Sequence, residues 1–299
     1  MTQALVGTPD RAGYLYYRHT LPVRVMHWVN VVALTVLLMS GLQIFNAYPE
    51  LHWGKSSYTG APALLQIGAR AGADGQTVGY TRIFGREFDT TGVLGASRAE
   101  DGSVSRVAFP SWATVPGTFW LAMARAWHFF FAWIFVVNGV AFIVYTVVSR
   151  HLTRDLAPTR TDLKTIGQSI KEHLRFRHPT GEAAKRYNVL QKLAYLVVIF
   201  GLLPLAVLMG FAMSPWLNSL LTGWVDLVGG RQSARTIHFI VAWLLVAFVL
   251  IHVFQVIVTG FWNNVRSMLT GRYRVRAESG SDAVHAPRPR SYNSGDRHD

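Results

Sequence analysis

The stretch RTIHFIVAWLLVAFVLIH, Arg235–His252, places two histidines 14 residues apart in an otherwise apolar run, with an arginine one turn before the first. An imidazole in hydrocarbon is costly unless something holds it. Fourteen residues give about 21 Å of rise and close to four turns, so His238 and His252 share one helix face at opposite depths. A run of about 20 apolar residues is long enough to cross a bilayer, and this one qualifies.

Three more such runs lie upstream, at about 26–46, 118–148 and 190–213. The 299-residue chain is 51% hydrophobic and only 15% charged, against about 25% for a soluble domain. The first run fits no secretory signal, because the 24 residues before it are polar and no small-residue cleavage pattern follows it. The expected fold is all-α: an integral membrane four-helix bundle with a large extracytoplasmic loop between helices one and two.

The net charge of +13 does not point to nucleic acid, because of where it lies. Segments 1–24, 149–189 and 261–299 hold 19 Lys/Arg and 9 Asp/Glu, whereas 46–117 and 213–234 hold 7 of each. This one-sided excess predicts both termini on the cytoplasmic face of a bacterial inner membrane, with the basic loops against membrane lipid. The absence of cysteine excludes disulfides, iron–sulfur clusters, Cys-rich zinc sites and thioether-linked haem.

Along the chain, residues 1–275 form one membrane domain. It includes an extracytoplasmic cap at 47–117 and a cytoplasmic loop at 149–189. The cap has eleven glycines, and YTRIFGREFD and SVSRVAF within it read as short strands or hairpins. A loop of that length is usually functional, as a partner-docking surface or a lid. Leu163, Ile166, Ile170 and Leu174 fall on one face of a helix suited to the membrane surface. Pro204 predicts a kink in helix three. The tail, 276–299, is disordered by composition.

Four histidines lie at the ends of, or within, the apolar runs: His27, His128, His238 and His252. Three follow an arginine by three residues, as RVMH (Arg24–His27), RAWH (Arg125–His128) and RTIH (Arg235–His238). Each pair shares a helix face, with the arginine on the water side. A ligand with a metal centre and an acidic rim suits that order, and haem is such a ligand: its iron takes axial imidazoles and its propionates seek arginine. The alternating direction of four spans fixes the depths. His128 and His238 meet near the outer face and His27 and His252 near the inner one, giving two bis-histidine sites. Gly41 lies 14 residues after His27, at the depth of the outer site, where it would let a macrocycle approach the backbone; helix packing is the other reading. The spans contain no Asp or Glu, which disfavours a proton pump or ion transporter. His19 and His52, just outside helix one, receive no firm role.

On these residues the chain resembles the bacterial di-haem cytochrome b family, which includes the b-type subunits of nickel–iron hydrogenases, formate dehydrogenase and thiosulfate reductase, and bacterial cytochrome b-561. RVMHW, RAWHFFFAW and RTIH with its second histidine carry the likeness, which covers roughly residues 15–275. It implies two haems b with His27, His128, His238 and His252 as axial ligands, and electron transfer as the function. It further implies a quinone site near the cytoplasmic haem, where Asn188, Gln191 and Lys192 of RYNVLQKLAY are the matching residues. The long insertion departs from smaller members and is similar to relatives that partner periplasmic molybdenum oxidoreductases. A hydrogenase-type subunit, a haem-free membrane anchor and a transporter are the alternatives.

Overall fold

Apolar length and glycine or proline punctuation set the elements. The computed structural model describes residues 14–57, 60–99, 101–149, 167, 189–221 and 223–275. The surface-helix expectation at 163–174, nearly all of the 149–189 loop including Asn188, and the tail at 276–299 lie outside the described residues.

Four helices are long and apolar enough to cross a membrane. Helix α1 spans Leu21–Asn46, with Pro22 in its first turn, where the missing N–H costs no hydrogen bond. Helix α2 spans Leu121–Val148, and α3 spans Val189–Ala212. After a short helix α4, Pro215–Leu220, comes the fourth span, α5, Arg231–Val258. At 1.5 Å per residue these helices are about 36–42 Å long, enough for a hydrocarbon core of about 30 Å. The irregularity expected at Pro204 takes a specific form. A π-helical segment, Val198–Leu202, directly precedes it, and the wider turn accommodates the lost N–H donor.

Helix α1 runs along α2, and α3 runs along α5, while the two pairs scarcely approach each other backbone to backbone. Val198 of α3 packs against Val241 and Leu245 of α5, and Met209 and Ala212 pack against Ala234. These contacts make α3 and α5 antiparallel. They also place the start of α3 beside the His252 end of α5.

Strand β1 (Tyr14–Tyr17) precedes α1. A helix α6 (Phe261–Thr270) and the last strand follow α5. That last strand, Arg272–Val275, pairs antiparallel with β1, Tyr14 opposite Val275. The entry to the first span and the exit from the last are therefore tied at one end of the bundle, here called the terminal end.

The opposite end carries the cap. Strands β2 (Glu50–Leu51), β3 (Leu65–Ala71), β4 (Thr77–Ile83) and β5 (Arg86–Asp89) form an antiparallel sheet in that order. The sequence YTRIFGREFD makes the β4–β5 hairpin, whose turn puts both Phe84 (φ 47°) and Gly85 (φ 81°) in the left-handed region, as a two-residue turn of the primed type requires. From SVSRVAF only β7, Val104–Ser105, is a strand, paired with β6, Ser97–Arg98. A Cβ at Gly79 would overlap the Leu94 carbonyl, so the chain beyond β5 crosses β4 where only glycine fits. The strand Arg272–Val275 is thus β8 among the described residues.

The cap is seated on α1. Leu42 and Phe45 join Leu51, Ile67, Ala108 and Phe109 in one buried cluster. Gln43, only 1% exposed, donates from Nε2 to the carbonyls of Pro116 (2.8 Å) and Thr118 (2.7 Å). Asn46 Nδ2 donates to Phe109 O (3.0 Å), and Phe109 N–H returns a bond to Asn46 Oδ1 (2.7 Å). Two amides in the last turn of a span thus satisfy the cap's exit. Gln43→Leu should leave both carbonyls buried without a donor and destabilise the cap by about 3 kcal/mol. Limited proteolysis in detergent should show faster cleavage between residues 105 and 120, with the spans intact.

Candidate functional site

The two helix pairs face each other through four imidazoles. His128 of α2 lies opposite His238 of α5, with ring centroids 6.3 Å apart and planes at 67°. His27 of α1 lies opposite His252 of α5, at 6.3 Å and 62°. The first pair sits near the cap and the second near the terminal end. An atom bonded to both rings at about 2 Å from each nitrogen would hold the centroids roughly 6 Å apart. Rings in van der Waals contact or linked by a direct hydrogen bond would not need the same separation at both levels.

The cap-side rings are fixed in tautomer as well as position. Ser40 Oγ donates to Val36 O (2.6 Å), so in its 3.0 Å contact with His128 Nδ1 it accepts. His238 Nδ1 lies 2.8 Å from Ala206 O, and a carbonyl can only accept. Both imidazoles therefore carry their proton on Nδ1 and leave the Nε2 lone pair unused. Histidines that bind metal are held in this way, by a hydrogen bond at the other ring nitrogen. Among the described residues no three His, Asp or Glu side chains converge, so the arrangement offers two imidazoles to one metal and leaves the remaining coordination to a ligand that brings its own donors. A haem iron needs that donor set.

Each cap-side imidazole is backed by a glycine. A Cβ at Gly41 would lie 3.4 Å from His128 Cε1, and one at Gly210 would lie 3.6 Å from His238 Cε1. Gly41 thus makes room for an imidazole edge on a neighbouring helix. Ser40, Ala206 and Gly210 were not found from the sequence. A serine–glycine step on α1 and a glycine near the end of α3 were the visible signals, but neither names its partner.

At the terminal end His252 stacks on Phe248 (6.0 Å, 20°), and His27 meets Trp28 edge-on (5.6 Å). Asn138 of α2 donates to Met26 O (2.9 Å) and to Asn30 Oδ1 (2.8 Å), fixing α1 against α2 beside His27. Amides inside an apolar run were a legible sign of such interhelical bonding.

The three arginines occupy different settings. Arg24 donates from Nη1 to Leu269 O at 2.5 Å, beside the Trp28 indole, which donates to Met268 O at 3.2 Å; both acceptors are in the last turns of α6. The Arg24 Nε is buried with no partner among the described residues, so this guanidinium retains a donor. Arg125 is exposed at the start of α2, with its guanidinium 5.7 Å from the Phe129 ring centre. Arg235 donates to Glu50 O (2.9 Å) and to Tyr48 O, and lies over the rings of Phe45 and Tyr48. Two arginines of the R-x-x-H pattern therefore bond the backbone of the element that roofs their imidazole pair.

The roof over the cap-side pair is anchored further. Gly54 O accepts from the Gln232 and Ser233 N–H groups, which caps the start of α5, and Thr236 Oγ1 donates to His52 O (2.7 Å). Gln191 and Lys192 lie in the first turn of α3. Val198 packs against Leu245, and seven residues along each antiparallel helix bring Gln191 to about the level of His252. Arg235→Ala should remove two charge-assisted bonds to carbonyls, each worth about 1.5–3 kcal/mol. Amide hydrogen exchange across Glu50–Leu51 and the facing end of β3 should then accelerate at least about tenfold, while the α1–α2 pair is unchanged.

The family described as prokaryotic cytochrome b561 matches residues 18–271. Among curated relatives, a chain from Azospira oryzae named as the protein-methionine-sulfoxide reductase subunit YedZ1 is 26% identical over 242 residues, covering 81% of this chain and 91% of the relative. A chain from Cupriavidus necator named as a Ni/Fe-hydrogenase B-type cytochrome subunit is 23% identical over 279 residues, covering 89% and 88%.

Proposed function

Since the chain belongs to the prokaryotic cytochrome b561 family, we propose that it is a membrane electron-transfer subunit holding two haems b, which carry electrons between the quinone pool and a redox partner docked on the cap. The observation that carries this reading is the equal 6.3 Å spacing of two imidazole pairs at two depths of one bundle. His128 and His238 would be the axial ligands near the cap, and His27 and His252 those near the terminal end. Bound haem supplies one-electron chemistry at iron. The chain would supply the imidazoles and the bonds from Ser40 and Ala206 that orient them. Arg24 has a donor left for a propionate, and Arg125 lies at the right end of α2 for the cap-side group. Arg235 contributes its positive charge beside the cap-side site while its hydrogen bonds hold the roof.

The excess of Lys/Arg outside the spans at the terminal end supports cytoplasmic termini in a bacterial inner membrane, with the cap in the periplasm. The quinone would bind at the terminal end, against Asn188, Gln191 and Lys192. The names of the two relatives support a redox protein as partner; the reading takes it to be a periplasmic one of the molybdenum-containing kind, with a hydrogenase as the alternative.

Reduced-minus-oxidised visible spectra with haem quantitation test the reading: two haems b per chain are expected, and a colourless chain refutes it in favour of a haem-free anchor or a transporter. His238→Ala should lose the cap-side haem alone and His252→Ala the other alone, each variant retaining about one haem; loss of the same haem in both would overturn the pairing. Asn188→Ala should slow reduction by a quinol analogue about tenfold with haem content unchanged; wild-type kinetics would remove it from the site.

A further inference from the structure

The backbone that Arg235 holds carries a side-chain cluster that the haem sites do not use. His52 is 7% exposed. Its Nε2 lies 3.1 Å from Glu50 Oε2, and its ring stacks on Tyr48. Tyr48 donates its hydroxyl to the same carboxylate oxygen (3.1 Å), and Gln66 Nε2 donates to the other (2.7 Å). Burial raises the affinity of Glu50 for a proton, but the bonds from His52, Tyr48 and Gln66 outweigh it, so the carboxyl lies below its usual range. The carboxylate and the imidazole thus form a hydrogen-bonded pair in which both Glu50 oxygens are occupied by donors.

The cluster reaches both outward and inward. The Glu50 side chain is 26% exposed and touches the water over the cap. The His52 carbonyl is bonded to Thr236 on α5, two residues before His238 and about 3 Å along the axis. The other charges facing the pair are paired with one another or spent on the backbone. Arg235 is bound to the carbonyls of Tyr48 and Glu50. Arg82 reaches the pair only through Gln66 (2.9 Å) and is itself bonded to Glu87 (2.8 Å), which Arg70 also meets. Lys55 is paired with Asp226 (3.0 Å).

A buried imidazole with one carboxylate partner, next to the ligand-bearing turn and connected to outside water, is placed to respond to charge arriving at that turn. We propose that His52 and Glu50 are a redox-linked proton acceptor for the cap-side haem. With haem bound there, one electron arriving from a one-electron donor would be balanced by one proton that His52 takes up from water at the cap. Loss of the electron to the partner releases the proton to the same water. The inference rests on the two-haem reading above.

The test is a spectroelectrochemical titration of the haem-loaded protein from about pH 5.5 to about pH 8.5, the range in which imidazoles change charge. His252→Ala, which keeps only the cap-side haem, assigns its signal. The reduction equilibrium of the cap-side haem should fall at least about threefold across this range, because the reduced form binds the proton more tightly. His52→Gln keeps an amide donor for Glu50 but cannot titrate, and it should flatten the dependence while leaving the other haem as in the wild type. A flat cap-side haem in the wild type, or an unchanged slope in His52→Gln, overturns the inference. If His52→Gln fails to assemble, dye-detected proton uptake on reduction of the wild type by reduced methyl viologen, whose oxidation releases no proton, decides: uptake of a fraction of a proton per cap-side haem supports the proposal, and none sinks it. A chain without a cap-side haem refutes the earlier reading instead, before the pH dependence is measured.

Discussion

The structure depends on a constraint at the cap-side pair: an imidazole whose Nδ1–H is committed to a protein acceptor has one lone pair left, and that lone pair must point somewhere. Ser40 and the Ala206 carbonyl commit the two Nδ1 protons. In the proposed reading a haem iron at this level would accept those lone pairs, which a membrane interior offers few hydrogen-bond donors to satisfy. Other features follow from holding the rings apart. The two helix pairs keep their backbones separate, and Gly41 and Gly210 let each ring lie against a neighbouring helix. The interhelical amide bonds between Asn138 and α1 stabilise α1 against α2 without filling the space between the helix pairs.

The same logic accounts for what could be read from the sequence. Four spans were legible because crossing hydrocarbon demands about 20 apolar residues regardless of what a helix packs against. The imidazole pairing was legible because a 14-residue spacing and strictly alternating helix direction leave little freedom in depth, and the structure puts His27 opposite His252 and His128 opposite His238. The β4–β5 hairpin was visible as alternation around a turn. The acceptors were not legible. Ala206 and Leu269 act through backbone carbonyls, which carry no residue signature. For the same reason the spacing of Arg24 and Arg235 from their histidines revealed a shared face but not that the guanidinium groups reach across to Leu269, Tyr48 and Glu50. Gly41 lies at the level of the cap-side pair, and a Cβ there would lie 3.4 Å from the His128 ring.

Roofing also differs between the two ends in a way that bears on function. At the terminal end the roof is α6, a continuation of α5 past Gly260, with the β1–β8 ribbon beyond it. It is held by Arg24 and Trp28, which lie on the α1 face that carries His27. At the cap end the roof is inserted between α1 and α2 and is bonded to both α1 and α5: Gln43 and Asn46 hold its exit, and Arg235, Thr236 and the start of α5 hold its entry. The cap is therefore bonded directly to the turn of α5 that precedes His238.

That linkage places the cap in a different class from a passive docking platform. A protein that bound it would gain or lose contacts on a sheet whose first strand is bonded to α5, the helix that carries His238, with His52 and Glu50 at the junction. Electron transfer across such a junction moves charge next to a buried, hydrogen-bonded carboxylate–imidazole pair, where the surroundings screen it less than water would. The ribbon at the other end pairs Tyr14, Leu15, Tyr16 and Tyr17 with Arg272, Tyr273, Arg274 and Val275, none of which is a carboxylate or an imidazole. On the proposed reading, the response to redox charge would lie at the cap end, where the partner would dock.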